Sequence, residues 1–319
     1  MPSHALPTGG FSLKDFVELA NLDRAGLVES RHFGLAVLTT PDGAVLAQYG
    51  DSSQLMYPRS AVKPLQTVAT RRAGLNLREA QLAISSGSHQ GTGQHVALVE
   101  AILADAGLDF SNLQCPVAWP GNAAARSLVQ GPSKQCFNCS GKHAAFLAAC
   151  VVAGWDVKTY LDPTHPLQVL IKNVIEEFAG ETVSISTIDG CGAPLHALSL
   201  AGLARSIGRF ALKEKDAAQA MLDHPWAVGG QDSPDFFVLQ EGMVAKLGAE
   251  GVFVIGLKTG HGVAVKVADG ALRAAPSVAL KVLLNNGLLE SETNLKLREK
   301  LDPQILGGTE PVGTFEVLI

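Results

Sequence analysis

Apolar runs separated by turn signals predict β-strands near both ends of the chain. Between residues 31 and 50, the runs HFGLAVLTT and AVLAQYG flank the turn signal PDG, which predicts a β-hairpin. Beyond residue 250, strands are predicted in GVFVIGL, GVAVKV and ALRA, separated by the turn KTGHG and the turn at 268–270. A last strand is predicted over 313–319.

The middle of the chain, from about residue 60 to 225, has the apolar spacing typical of helices. Asn76 and Glu79 predict a capping box at the start of one of them. The other predicted helical segments are 60–73, 95–106, 140–153, 166–179 and 195–211. This order predicts an α/β fold in one unit over 1–319, with a sheet from about 30–55 and 250–319 and a helical block over about 60–225.

Composition excludes several classes of protein. The 319 residues are 47% hydrophobic and 17% charged, with a formal net charge of −5 and no run of like charges, which argues against binding to nucleic acid or to a membrane surface. The longest apolar stretch, 144–153, is about half the roughly 20 residues of a membrane-spanning helix. The segment 1–16 lacks the pattern of a signal peptide, and five cysteines in a chain of this size fit a reducing compartment, so we expect a cytoplasmic protein.

Ser60 and Lys63 form a candidate catalytic pair at a predicted helix start. Helical spacing places residues three apart on the same face, so the lysine amine is expected within hydrogen-bond reach of the hydroxyl. A serine becomes nucleophilic when a neighbouring base accepts its proton, and a lysine serves as that base when its pKa is lowered. The alternative is a chance pair, because Ser and Lys at this spacing are expected about once in such a chain.

Three further segments carry candidate chemistry. SSGSHQG, with Ser88 and His89, follows an apolar run and is either a ligand-binding loop or an ordinary turn. Lys266 interrupts the strand VAVKV, where a lysine faces either solvent or a polar cleft. Lys258-Thr259-Gly260 resembles the third motif of penicillin-recognising serine enzymes.

Cysteines beside glycines mark a candidate metal site. Cys136 and Cys139 form a CxxC pair in CFNCSGKH, and DGCG contributes Asp189 and Cys191. Two thiolates and a carboxylate leave a fourth zinc position for a nitrogen, from His143 or from a deprotonated Lys142. The alternative is that these cysteines are simple buried hydrophobes, as we expect for Cys115 and Cys150, two further cysteines.

Five strings in this order, RSAVKP, SGSHQG, NCSGKHAAFL, DGCGAP and GVAVKVADG, resemble the thermolabile, rhizobial-type L-asparaginase family, also called asparaginase II. They span residues 59 to 270, and NCSGKHA and DGCG are the most specific of them. The resemblance implies a fold like that of serine β-lactamases and serine-dependent glutaminases, with a mainly antiparallel sheet. It also implies a homodimer.

Matched by position, the resemblance assigns catalytic roles to Ser60, Lys63, Ser88 and Lys266, with Ser60 as the nucleophile. It assigns a zinc ion to a second set of residues, in which the nitrogen ligand is the Lys142 amine and not His143. That set is Cys139, Lys142, Asp189 and Cys191. In and after the second of the five strings, Gln90 and the following TGQ depart from the residues expected for the family.

The implied reaction is hydrolysis of L-asparagine to L-aspartate and ammonia through a serine acyl-enzyme. Neutral Lys63 would deprotonate Ser60, while Ser88 and Lys266 complete the proton network. Two alternatives remain at this stage. A penicillin-recognising enzyme is suggested by the same SxxK spacing and the KTG string but lacks an SDN-like segment, and a non-catalytic zinc or thiol module is suggested by the CxxC pair.

Overall fold

The computed structural model describes residues 11–319. Part of the segment 1–16, which was predicted to lack a signal peptide, therefore lies outside the described residues. The strands are β1 (Val17–Arg24), β2 (Leu27–Thr39), β3 (Val45–Tyr49), β4 (Leu55–Met56), β5 (Ser186–Ile188), β6 (Pro194–His196), β7 (Leu198–Ser199), β8 (Val244–Gly248), β9 (Val252–Gly256), β10 (Gly262–Val267), β11 (Leu306–Gly307), β12 (Glu310–Pro311) and β13 (Gly313–Val317).

The helices lie mainly between β4 and β8, and two more follow β10. They are α1 (Lys63–Arg72), α2 (Glu79–Ser85), α3 (Gly93–Asp105), α4 (Ala123–Ser127), α5 (Ser140–Ala153), α6 (Pro166–Ala179), α7 (Leu200–Lys213), α8 (Lys215–Asp223), α9 (Pro225–Gly229), α10 (Pro234–Gln240), α11 (Ala275–Asn285) and α12 (Ser291–Leu301). A 3-10 turn, Arg59–Val62, directly precedes α1. No helix within residues 11–319 has the length and apolarity to cross a bilayer.

One antiparallel sheet is assembled from the two ends of the chain, which confirms the predicted architecture. Its strand order is β13-β1-β2-β10-β9-β8, with β3 paired to the second half of β2. The sheet is wider than predicted because β1 and β8 also belong to it. Every residue of β9 and β10 is buried, and α7 and α11 pack against these central strands.

The helical block surrounds α5, in which residues 140–150 are all buried. A helix that is buried on every side belongs to the interior of a protein rather than to its surface. Helices α1, α2 and α3 pack against α5, and the 3-10 turn packs against β8. This arrangement brings the start of α1, the start of α5 and the edge strand β8 close together.

Several sequence predictions were wrong at element boundaries. The segment 195–211 was predicted as one helix, but β6 and β7 occupy its first residues and α7 begins at Leu200. ALRA (271–274) was predicted as a strand, but it forms a turn that leads into α11. Asn76 does not cap α2, because the N-cap residue is Arg78 and its side chain makes no capping hydrogen bond.

Candidate active site and metal-ligand cluster

Four lysine side chains are buried within residues 11–319. Lys63, Lys142, Lys246 and Lys266 have relative exposures of 1%, 2%, 0% and 8%. A buried ammonium is costly unless it is paired or neutralised, so each of these lysines needs a specific environment. Three of them interact electrostatically, because Lys142 and Lys246 both lower the pKa of Lys63. The candidate active site lies where these three converge.

Ser60 lies in the 3-10 turn, and Lys63 is the first residue of α1. Because a 3-10 helix has three residues per turn, this geometry places the two residues on the same face. Arg59, directly before Ser60, has φ 51°, a strained conformation of the kind that clusters at functional sites. The half-buried Ser60 hydroxyl makes no hydrogen bond to any residue between 11 and 319.

The Lys63 amine instead binds the loop that follows α2. It donates hydrogen bonds to the Gly87 carbonyl and, at 2.9 Å, to the Ser88 hydroxyl. The predicted hydrogen bond between Lys63 and Ser60 is therefore replaced by one between Lys63 and Ser88. Burial lowers the Lys63 pKa to about 8, an effect that the negative charge of the Cys139 sulfur opposes and the Lys142 and Lys246 ammonium groups assist. About a tenth of the amine would then be neutral at pH 7, far more than for an ordinary lysine, and the neutral form can act as a base.

Ser88 is fixed by its backbone as well as by its side chain. Its N–H donates to the Val228 carbonyl at 2.6 Å, and the N–H of His89 donates to the Asn138 carbonyl at 3.1 Å. A Cβ at Gly87 would lie 2.7 Å from the Ala227 carbonyl oxygen, so this close approach requires glycine. The loop is thus held between α9 and the segment before α5.

Lys246, on the edge strand β8, was missed by the sequence analysis. Its amine forms an ion pair with Asp235 at 2.9 Å, and both side chains have 0% exposure. The second Asp235 oxygen accepts a hydrogen bond from the Leu247 N–H at 3.0 Å. The signal in the sequence was a lysine inside the apolar run MVAKL, which is the same signal that drew attention to Lys266.

The structure does not join Lys266 to this network. Its amine donates to the backbone carbonyls of Glu250 and Val267, and it forms no hydrogen bond to Ser60, Lys63 or Ser88. Burial lowers its pKa, as for Lys63. The Lys258-Thr259-Gly260 string lies in the turn that joins β9 and β10, where its first two residues are exposed.

The four predicted metal ligands come from two segments. Cys139 is the N-cap of α5, and Lys142 lies in the first turn of that helix. Asp189 and Cys191 lie in the tight loop between β5 and β6, where Gly192 has φ +88°. The Lys142 amine lies 3.1 Å from the Cys191 sulfur, which is 3.9 Å from an Asp189 oxygen.

The electrostatics of the cluster depend on one shared proton. A hydrogen bond from Cys191 lowers the pKa of Cys139 well below that of an ordinary thiol, and the same bond raises the pKa of Cys191. Burial alone would lower the pKa of Lys142, but the two adjacent sulfurs outweigh it and the pKa is raised. The ammonium group therefore supplies the positive charge that balances the buried thiolate.

The donor chemistry of this cluster fits zinc. Two sulfurs, one carboxylate and one amine would complete a four-ligand set once the thiols and the amine lose their protons. No three His, Cys, Asp or Glu side chains in the described part of the chain are arranged to hold a metal ion, so the fit to zinc rests on the chemistry of these donors and not on their geometry. Cys136 makes no hydrogen bond to these four within residues 11–319.

A salt bridge connects the metal-ligand cluster to the catalytic candidates. The Arg59 guanidinium donates to Asp189 at 2.8 Å and lies 3.9 Å from Glu250. His143, the other nitrogen candidate, shares a hydrogen bond of 2.7 Å with the Tyr160 hydroxyl through Nδ1, while its buried Nε2 has no hydrogen-bond partner within residues 11–319. Burial lowers the pKa of His143 to about 4, so this imidazole is neutral.

Comparison with known proteins identifies the class of enzyme. A buried amine hydrogen-bonded to one serine hydroxyl, with a second serine one helical turn before it, is an arrangement typical of serine-dependent hydrolases. The family model described as "L-asparaginase II" matches residues 20–317, so the chain belongs to this family of amidohydrolases. The match confirms the resemblance seen in the sequence. No curated protein matches the chain.

Three solved structures that match this chain have low sequence identity to it. A β-lactamase from Mycobacterium bovis is 17% identical, with a TM-score of 0.38 over 80% of this chain and 95% of its own. The glutamate form of the protein Mglu is 14% identical, with a TM-score of 0.46 over 81% of this chain and 61% of its own. The native form of Mglu is 13% identical, with a TM-score of 0.45 over 86% of this chain and 70% of its own.

Proposed function

We propose that the protein hydrolyses L-asparagine to L-aspartate and ammonia through an acyl-enzyme on Ser60. The observation that carries this proposal is the buried Lys63 amine, which is hydrogen-bonded to Ser88 and lies on the same face as Ser60. Membership of the L-asparaginase II family implies L-asparagine as the substrate.

In the proposed acylation, neutral Lys63 accepts the hydroxyl proton of Ser60, and the Ser60 oxygen attacks the side-chain amide carbon. The carbon–nitrogen bond breaks, and ammonia leaves with the proton. Ser88 is suited to pass this proton on, because its hydroxyl binds the Lys63 amine and also lines the adjoining cavity. Water then hydrolyses the aspartyl ester and restores the Ser60 hydroxyl.

We assign the second lysine of this network to Lys246 instead of Lys266. The Lys246 charge acts on Lys63 and lowers its pKa, whereas Lys266 is engaged with backbone carbonyls. Asp235 compensates the Lys246 ammonium without contacting the Lys63 amine. A positive charge near the base favours its neutral form, which is the form that accepts a proton.

We also propose a Zn²⁺ ion held by Cys139, Lys142, Asp189 and Cys191. A zinc ion with four protein ligands has no open position for a catalytic water, so its chemistry would be to neutralise the thiolates and organise the substrate pocket. The Arg59–Asp189 salt bridge is the link through which this loop supports the Ser60 turn. Metal analysis of Cys191→Ser should show loss of zinc, with Cys150→Ser retaining it as the control.

A homodimer and a cytoplasmic location belong to the same proposal. All five cysteines are free and buried, which suits a reducing compartment. Light scattering of the purified protein at several concentrations tests the dimer. A monomer at every concentration would contradict it.

The experiment that tests the function is ammonia release from L-asparagine, L-glutamine and small amides, with a chromogenic cephalosporin as the alternative substrate. Ser60→Ala should lower L-asparagine turnover on the order of 10⁴-fold or more. Ser53→Ala, at an exposed serine that binds Asp51, is the control and should keep full activity. A slow substrate analogue should leave an ester on the Ser60 peptide, and an adduct on Ser88 would refute the assignment.

A further inference from the structure

A cavity of about 480 Å³ opens over Ser88. Trp119, Phe137 and Asn138 contribute to its wall, and Leu247 connects it to the strand that carries Lys246. His89 also lines the cavity, but burial lowers its pKa well below 6.5, so the imidazole carries no charge at neutral pH. The wall is therefore built mainly from aromatic and neutral polar groups.

Asp232 is the one carboxylate, and the one formally charged side chain, that lines this cavity within residues 11–319. It is exposed, and it makes no hydrogen bond or salt bridge to any residue of the described chain. Other carboxylates around the site are already paired, as Asp189 is with Arg59 and Asp235 is with Lys246. An unpaired carboxylate in the wall of the cavity beside Ser88 remains available for a cationic group of a ligand.

The turn that carries Asp232 is fixed by the two helices it joins. Ser233 donates to the Gly230 carbonyl through its backbone N–H at 3.2 Å and through its hydroxyl at 3.0 Å. The same hydroxyl accepts a hydrogen bond from the Phe236 N–H and so caps α10. Gly230 has φ +90°, a conformation that favours glycine. The backbone that carries the Asp232 carboxylate is therefore fixed before a ligand binds.

Asp232 is the uncompensated charge at this cavity. The Lys246 ammonium on the neighbouring strand is already paired with Asp235, whereas Asp232 supplies a negative charge at the cavity wall that no group within residues 11–319 balances. An ammonium group of a ligand is stabilised by such an opposite charge of the protein. A ligand with an ammonium group near its amide is therefore matched to this cavity better than an amide without one.

We propose that Asp232 binds the α-ammonium group of the substrate and thereby selects amides of α-amino acids over amides that lack the amino group. This inference rests on the proposed amidohydrolysis and assigns the substrate class to a particular side chain. The chemistry is a charge-assisted hydrogen bond between an ammonium donor and a carboxylate acceptor.

The test compares L-asparagine with succinamate, which is the same molecule without the α-amino group. Asp232→Asn preserves the size of the side chain and removes its charge. We expect kcat/KM for L-asparagine to fall by about tenfold or more, mainly through KM, and that for succinamate to change little. Asp223→Asn removes an equivalent charge from the end of α8 and should leave both substrates unchanged. Equal losses on both substrates, or no loss on L-asparagine, would overturn the proposal.

A binding measurement separates this inference from the proposed function. If the wild-type protein hydrolyses neither substrate, the proposed function fails, and calorimetry with L-aspartate and succinate then tests the ammonium site alone. Tighter binding of L-aspartate by the wild type, lost in Asp232→Asn, would support the site. Equal affinity for the two ligands, or no binding of either, would overturn it.

Discussion

The buried ion pair between Lys246 and Asp235 allows a quantitative prediction about stability. Both side chains have 0% exposure, and the closest nitrogen–oxygen distance is 2.9 Å. Asp235→Asn keeps the acceptor for the Leu247 N–H but leaves the buried ammonium without its counter-charge. Breaking a pair of this kind costs about 3–5 kcal/mol. The free energy of unfolding of Asp235→Asn should therefore fall by that amount relative to the wild type.

Urea unfolding followed by tryptophan fluorescence measures this loss. Glu177→Gln is the control, because it breaks the Arg72–Glu177 pair, whose side chains are 39% and 52% exposed, and should cost less than about 1 kcal/mol. Replacing both buried partners, as Lys246→Met with Asp235→Leu, should recover most of the loss. A cost for Asp235→Asn as small as that of the control would show that the buried ammonium does not depend on this carboxylate.

Further predictions concern groups outside the candidate site. The Cys150 thiol, whose pKa burial raises to about 12, should resist iodoacetamide at pH 8 until the protein is unfolded by urea. Burial and the charge of Lys172 lower the pKa of His196 below 6.5, so its contribution to stability is present above pH 6.5 and is lost as the pH falls. Because His196→Gln lacks this group, its free energy of unfolding should fall less than that of the wild type between pH 7.5 and 5.5. Phe146→Ala, at 1% exposure in α5, should cost about 3–5 kcal/mol in the same urea assay.

Helices with strong local end signals were predicted to the residue. Helices α5 and α6 match the predicted 140–153 and 166–179. Both end before a glycine in the left-handed conformation, Gly154 with φ 69° and Gly180 with φ 66°, and Pro166 starts the second. Such signals are local, so the sequence contains all the information that these boundaries need.

Elements whose conformation depends on distant partners were missed. Strand β1 has a mixed pattern, VELANLDR, and it is stabilised by pairing with β2 and with β13 almost 300 residues away. The residues of β6 and β7 read as the start of a helix, but β7 pairs with β4 far upstream. Because these partners are remote in sequence, the local pattern does not distinguish the alternatives.

The candidate site was only partly predictable for the same reason. Motif strings identified Ser60, Lys63 and Ser88, but the structure is needed to show that the Lys63 amine binds Ser88 instead of Ser60. Lys246 and Lys266 both interrupt apolar strands, and the two sequences look alike. Only the sheet order, in which β8 is the edge strand beside the 3-10 turn, distinguishes the lysine near the site.

Gly248, at the end of β8, provides a last test of how the sheet positions the catalytic turn. A Cβ at this position would lie 2.6 Å from the Pro58 carbonyl oxygen and 3.3 Å from the Ala61 nitrogen. These two groups form the 3.1 Å hydrogen bond that closes the turn around Ser60. The methyl group of Gly248→Ala would therefore displace the turn that carries the proposed nucleophile.

Because displacing a reacting group by about 1 Å reduces turnover by up to about 100-fold, Gly248→Ala should lower kcat for L-asparagine by one to two orders of magnitude. Gly131→Ala is the matched control, since a Cβ there meets no atom within 4 Å. A Gly248→Ala protein that keeps wild-type kcat would show that the position of Ser60 does not depend on β8. A loss of kcat with the control unaffected would link the edge strand to catalysis through backbone contact alone, without any change in the catalytic side chains.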